Sequence, residues 1–253
     1  MQLYIRSTDH GKTWSEPKQL KSSGTYYTRG RSRILELPDG GLIWMCYDMN
    51  EGGKLLDGTI HRSDDDGETW RIVSVIRRRK PEGDQTEFDD LVVSGDVDRF
   101  LKLGSAMDEG WIDTDEGDLG RLSNGKLVLV VRPDGGTLVS SDQAKTWKQI
   151  GVVGPKYVYA PHMVVLKDDT IVLTAGGSRG QSVFLSTDGG QSWSKPITID
   201  PAAYGYGKLT KLEDETVLLS YVQKHSAPQR CMLVRFQLNE DRTGVELLRL
   251  GDE

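Results

Sequence analysis

Cysteine is nearly absent: Cys46 and Cys231 are the only two in 253 residues. A disulfide-rich framework is thereby excluded, and both thiols, set in strand-like text, read as buried and free. Four histidines accompany them. None of these side chains shows the spacing that brings three or four ligands onto zinc, so no metal or cofactor is expected. No apolar run approaches the length of a membrane span. The opening "MQLYIRSTDHG" reads as strand and turn rather than a secretory leader, so no membrane partner is expected and the cytoplasm is slightly favoured. The net charge of −6 is spread without blocks. The one basic run, "RRRK" from Arg77 to Lys80, stands before a proline and an acidic stretch. It reads as a solvated loop, and nucleic acid is not an expected partner. Neither glycine-rich stretch, "GGTLVSS" or "GGSRGQS", follows a phosphate-loop pattern, and no serine sits in a nucleophile elbow.

What the chain does hold is a repeat. "STDHGKTW" begins at Ser7, "SDDDGETW" at Ser63, "SSDQAKTW" at Ser140 and "STDGGQSW" at Ser186. Each places an Asp two residues and a Trp seven residues after the Ser. Four octets in register decide the architecture before any single residue does. Their chemistry is that of a turn. The Asp oxygens can accept backbone N–H groups just ahead, the glycine tolerates positive φ, and the Trp buries a large ring with one polar N–H. The octets lack the alternating acids and closing bidentate Glu of a calcium loop. Asp9, Asp65, Asp142 and Asp188 therefore read as turn locks.

Between the octets the text alternates strand, polar turn, strand. "RILELPDGGLIWMCYD", "LGRLSNGKLVLVVR", "HMVVLKDDTIVLTAG" and "GKLTKLEDETVLLSYV" are hairpins with short turns. Adding a third strand, an octet and a fourth strand gives four antiparallel strands per unit, the blade of a β-propeller. Units are expected over about 30–78, 117–153, 159–199 and 204–250. Residues 86–111 are irregular, and residues 2–20 supply only a third and a fourth strand. The expected fold is all-β: one propeller domain over 1–253 with five or six blades, its first blade incomplete. The opening strand "QLYIRS" has no hairpin of its own. Pairing with the C-terminal region or with a second copy is expected, which makes a homo-oligomer one expected state.

An octet of this form is the Asp-box, and the chain resembles the sialidase (neuraminidase) superfamily over most of its length. Further residues strengthen the resemblance. "DEGDLGRLSNGKLVLVVRPDGG" is similar to the family's Glu-hairpin-Arg segment and offers Glu116 and Arg132. "GGSRGQSVFLSTDGGQSW" offers Arg179 ahead of a box, and "GYGKLTKLEDETVLLSY" offers Tyr206. The resemblance implies a glycoside hydrolase in which Tyr206 is the nucleophile, Glu116 its general base, and Arg132 and Arg179 the clamp for a substrate carboxylate. The set is chemically coherent. Guanidinium groups hold a carboxylate by paired charge-assisted bonds. A neutral Tyr attacks without repelling that carboxylate, and sialidases are a known exception to the carboxylate nucleophile of glycosidases.

The resemblance departs at the opening. The family's first arginine and its acid/base Asp lie upstream of the first box, where this sequence has six residues. The 30–78 unit offers substitutes: Arg29, Arg31 and Arg33, of which Arg31 is taken as the carboxylate ligand, and Asp57 as the acid/base. Either that unit rebuilt the site or a segment carrying the usual residues is not in this sequence. Each candidate also has a plainer reading. Tyr206 could be a channel-lining aromatic, Glu116 a solvated carboxylate, Arg132 a strand-end ion pair and Arg179 an exposed turn residue. The function expected first is removal of a terminal sialic acid or related acidic sugar. The alternatives are a non-catalytic binder of anionic glycans and an Asp-box interaction scaffold. A glycan or sialic-acid-like small molecule is the expected partner.

Overall fold

The computed structural model describes residues 3–19, 21–22, 27–49, 55–79, 92–93, 111–112, 114, 116–154, 158–176, 180–223 and 229–248. Among them every regular element is a strand. β1 (Leu3–Tyr4) pairs with β2 (Lys18–Gln19) around the first octet, and β3 (Lys21–Ser22) follows. The first four-stranded meander is β4 (Tyr27–Glu36), β5 (Leu42–Met49), β6 (Leu55–Ser63) and β7 (Thr69–Arg79). β3 joins β7 in parallel, while β8 (Val92–Val93) and β9 (Trp111–Ile112) pair with its far end. The second meander is β10 (Gly117–Arg121), β11 (Leu127–Val131), β12 (Gly136–Ser140) and β13 (Lys148–Val152). The third is β14 (Tyr159–Val165), β15 (Ile171–Gly176), β16 (Gln181–Ser186) and β17 (Ile197–Asp200). The fourth is β18 (Ala203–Lys211), β19 (Val217–Gln223), β20 (Arg230–Leu238) and β21 (Val245–Leu248). Strand order within each meander follows chain order.

The first hairpin of each of the four meanders closes in one way. The N–H of Leu37, Leu122, Leu166 or Leu212 donates to the carbonyl four residues on, and the N–H three residues on returns to that leucine. Gly40, Gly125, Asp169 and Glu215 take the positive φ this loop requires. The side-chain oxygen of Asp39, Asn124, Asp168 or Asp214 caps the N–H two residues later.

The octets close with equal regularity. In all four the Ser hydroxyl donates to the Asp, at 2.8 Å, and accepts the N–H four residues on. The same Asp accepts both the N–H and the hydroxyl of the Thr or Ser before the Trp. These bonds, led by the hydroxyl donor, hold the Asp9 and Asp65 carboxyls down at about 2. Two of the tryptophans then reach the preceding sheet. Trp147 donates to Ser74 of β7, and Trp193 donates to Thr137 of β12.

Each pair of neighbouring sheets shares a core. Ile43, Met45 and Ile60 of the first pack with Leu127, Leu129 and Val131 of the second. Val128 and Val130, on the opposite face of β11, pack with Met163, Ile171 and Leu173 of the third. Val172 and Val183 pack with Leu209, Val217 and Phe236 of the fourth. A strand buried on both faces reads as an unbroken apolar run, and the "LVLVV" of β11 is one.

The inner strands β4, β10, β14 and β18 touch in succession and are tied by a chain of polar contacts. Asp118 is fully buried. It accepts the N–H of Arg33 at 3.0 Å and that of Met163 at 2.8 Å, and it pairs with the Arg33 guanidinium at 3.4 Å. His162 Nδ1 accepts the N–H of Leu209 at 3.0 Å. An acceptor Nδ1 leaves the proton of a neutral ring on Nε2. Burial pushes the His162 pKa down to about 4; Asp118 pulls it upward but is outweighed.

Four expectations from the sequence need correction. Cys231 is exposed, because β20 belongs to a sheet buried more fully on one face; Cys46 is buried and both are free. Arg77–Arg79 lie in β7 and pair with β8 and β9 rather than in a loop. Trp14 is 58% exposed, with no preceding sheet among the described residues to receive its ring. The opening strand pairs with β2 and docks on the second octet, through Arg6 to Asp66 at 2.6 Å and Tyr4 to Glu68. Among the described residues of the chain its partners are β2 and the second octet rather than the C-terminal sheet.

Two outcomes follow from these contacts. Asp142→Ala should lower the melting midpoint by roughly 2–6 °C, since it removes the acceptor of three local donors; an unchanged midpoint would deny the octet its locking role. His162 binds a proton less readily folded than unfolded. Its contribution is therefore complete above about 6.5 and is lost as pH falls toward about 4. The midpoint should drop between pH 7 and 5, and less steeply in His162→Asn, whose side-chain oxygen can stand in for Nδ1. Parallel curves for the two proteins would show that another group carries the effect.

Candidate active site

Glu116 lies just ahead of β10 and Arg132 just after β11. The N–H of Arg132 donates to the Glu116 carbonyl at 2.7 Å, extending the hairpin ladder by one rung. Two residues sixteen apart in sequence thus stand opposite each other, with Arg132 Nη1 3.2 Å from Glu116 Oε2. Glu116 is 4% exposed, so its carboxylate is not the solvated loop group of the plainer reading, and a guanidinium balances its charge.

Tyr206 comes from β18, where the pairing with β19 shifts register between Tyr204 and Lys208. It takes a φ of 58°, a conformation that side chains rarely adopt and that clusters at functional sites. Its hydroxyl stands 3.4 Å from Glu116 Oε1. A second aromatic, Tyr159 at the head of β14, was not foreseen. Its hydroxyl is 2.7 Å from that of Tyr206, and the rings meet edge to face at 5.0 Å. The Arg132 guanidinium lies over the Tyr159 ring, 4.6 Å from its centre. Ala160, the next residue, has a φ of 47° at a register shift of its own.

Glu116, Arg132 and Tyr206 are therefore brought together. Arg179 lies outside the described residues. For Arg31 and Asp57 the backbone is described, in β4 and β6, and their side chains lie outside the description. A positional signal connects several of these residues. Arg31, Glu116, Ala160 and Tyr206 each stand six residues before the turn leucine of their unit, and Arg33, Asp118, His162 and Lys208 each stand four before it. The second tier is the tie between inner strands; the first is the candidate site. Tyr159 lies one residue outside the first tier, and no motif marks it.

Among the described residues no three His, Cys, Asp or Glu side chains converge as a metal site would require. What the cluster can do is move a proton and hold an anion. A phenol, a carboxylate that can accept its proton and an arginine at the same carboxylate provide both.

Comparison with known proteins agrees with this architecture. Residues 1–222 match the model of the BNR repeat-like domain. A sialidase of Bacteroides fragilis (strain YCH46) is 22% identical over 245 residues, covering 87% of this chain and 39% of that protein. The intramolecular trans-sialidase of Ruminococcus gnavus, in complex with oseltamivir carboxylate, superposes with a TM-score of 0.64 at 17% identity, covering 96% of this chain and 51% of that one. An α-L-arabinofuranosidase of Fusarium graminearum in complex with an iminosugar inhibitor gives 0.54 at 15% identity, covering 89% and 67%. The chain thus spans well under half of the curated sialidase and about half of the trans-sialidase, and at these identities the structural likeness is one of fold. Because the family match runs through all four octets, the chain belongs to the BNR repeat-like domain family, within the sialidase superfamily.

Proposed function

We propose that the chain acts as a sialidase-type exo-glycosidase on a terminal sialic acid or related acidic sugar. We read its four sheets as blades of a single β-propeller of five or six, formed by residues 1–253. The observation that carries the functional reading is the Tyr206 hydroxyl at the Glu116 carboxylate, with Arg132 at the other oxygen of that carboxylate. The superfamily membership and the glycosidase relatives support it.

In this reading Tyr206 Oη attacks the anomeric carbon as its proton passes to Glu116. The bond to the leaving oxygen breaks, and that oxygen takes a proton from an acid, for which Asp57 is our assignment. Water then gives a proton to the Asp57 carboxylate and displaces Tyr206 from the same carbon, Glu116 returns the first proton to Tyr206 Oη, and the configuration is retained overall. Arg132, with Arg179 and Arg31 as further ligands, holds the substrate carboxylate. A substrate carboxylate would give the Arg132 guanidinium a second anionic partner beside Glu116, which a neutral sugar such as an arabinoside does not supply, so Arg132 favours the acidic substrate.

The test uses an aryl sialoside, whose phenolate departs with little help from an acid. Hydrolysis is expected and should fall by roughly 10³-fold or more in Tyr206→Phe. Arg132→Ala should chiefly raise KM. A natural sialyl-oligosaccharide should turn over more slowly, and Asp57→Asn should slow it selectively. Sialic acid binding that Arg132→Ala abolishes, with no hydrolysis of either substrate, would transfer the assignment to a glycan-binding module. Neither binding nor hydrolysis would leave a scaffold.

A further inference from the structure

Resting on the nucleophile reading just given, we infer that Tyr159 is a positioning residue for Tyr206, and that its hydroxyl stabilises the phenolate character Tyr206 acquires during attack. The direction of the hydrogen bonds carries this. As a base Glu116 takes part as a carboxylate, which only accepts. The Tyr206 O–H must therefore point to Glu116 Oε1, and in the 2.7 Å pair Tyr159 is the donor. When Tyr206 Oη bonds to the anomeric carbon, its proton moves to Glu116 and the aryloxide leaves with the electron pair of the broken C–O bond. Until that new bond is complete, negative charge grows on Tyr206 Oη, and the Tyr159 O–H is already aimed at it.

Three features prepare Tyr159 for the task. The Arg132 guanidinium over its ring draws electron density from the phenol, which makes its hydroxyl a better donor. The paired register shifts in β14 and β18 re-aim both tyrosines toward one point, as bulges do. The ring also lies where only glycine lets it lie: a Cβ on Gly205 would meet Tyr159 Cδ1 at 2.7 Å. Ring, hydroxyl and cation are thus separable parts. The ring supports Arg132, and the hydroxyl serves Tyr206.

Wild type, Tyr159→Phe, Tyr159→Leu and Tyr206→Phe should be compared on an aryl sialoside, with melting midpoints as a control. Tyr159→Phe keeps the ring and removes one oxygen. Its kcat should fall roughly 10- to 100-fold with KM changed less than about threefold, as expected for a charge-assisted bond made in the transition state. Tyr159→Leu removes the support of Arg132 as well, and its KM should also rise, by about tenfold. Wild-type kcat in Tyr159→Phe, with only Tyr159→Leu impaired, would reduce Tyr159 to a packing element and overturn the inference while leaving Tyr206 as nucleophile. Undiminished activity in Tyr206→Phe, or an inactive wild type, would overturn the nucleophile reading and this inference with it.

Discussion

A buried carboxylate holds the centre of this protein. Asp118 carries no solvent exposure, and removing such a charge from water is costly unless hydrogen bonds and an opposite charge replace the lost hydration. Two backbone N–H groups and one guanidinium do so, and they come from the strands on either side. The requirement of one side chain therefore becomes a requirement on three sheets. His162 adds the fourth by accepting from Leu209. Asp118 and Glu116 are two residues apart at the head of one inner strand, where alternation aims them to the same side. The tie between sheets and the candidate catalytic carboxylate thus share one piece of backbone.

Much of the fold was legible because its signals are local. Turn leucines followed by Asx and a positive-φ residue mark four hairpins, and Ser-x-Asp with a following Trp marks the octets. Expected unit limits such as 117–153 and 159–199 lie within a residue or so of the observed Gly117–Val152 and Tyr159–Asp200. What the sequence hid depends on neighbours. The exposure of Cys231 follows from where its sheet sits, since its strand text is similar to that of Cys46, which is buried as read. Arg77–Arg79 read as a loop by composition, yet two short strands pair with them. Trp14 has an octet like that of Trp147, yet it is exposed where Trp147 is buried and bonded to Ser74 of the preceding sheet.

The candidate site divides in the same way. Glu116, Arg132 and Tyr206 could be named because their segments resemble those of the sialidase superfamily; that a hairpin sets Glu116 and Arg132 opposite each other is what the structure adds. Tyr159 could not be named. Register shifts at the heads of β14 and β18 decide where its hydroxyl points, and a bulge leaves no mark in apolar alternation beyond an unremarkable Ala160 or Gly205. Chemistry that depends on residue type was visible; chemistry that depends on a one-residue irregularity in a strand was not.

The tryptophan contacts have a direction. Trp147 reaches from the second sheet to Ser74 of the first, and Trp193 from the third to Thr137 of the second. In both, the later segment supplies the ring and the earlier one the hydroxyl. A chain emerging from the ribosome presents its earlier segments first. The octets of Trp147 and Trp193 therefore meet receptors that have already been synthesised and do not wait for ones still to come. The molecule can add sheets in the order in which it is made, and an apolar face left open by one sheet is covered by the next to appear.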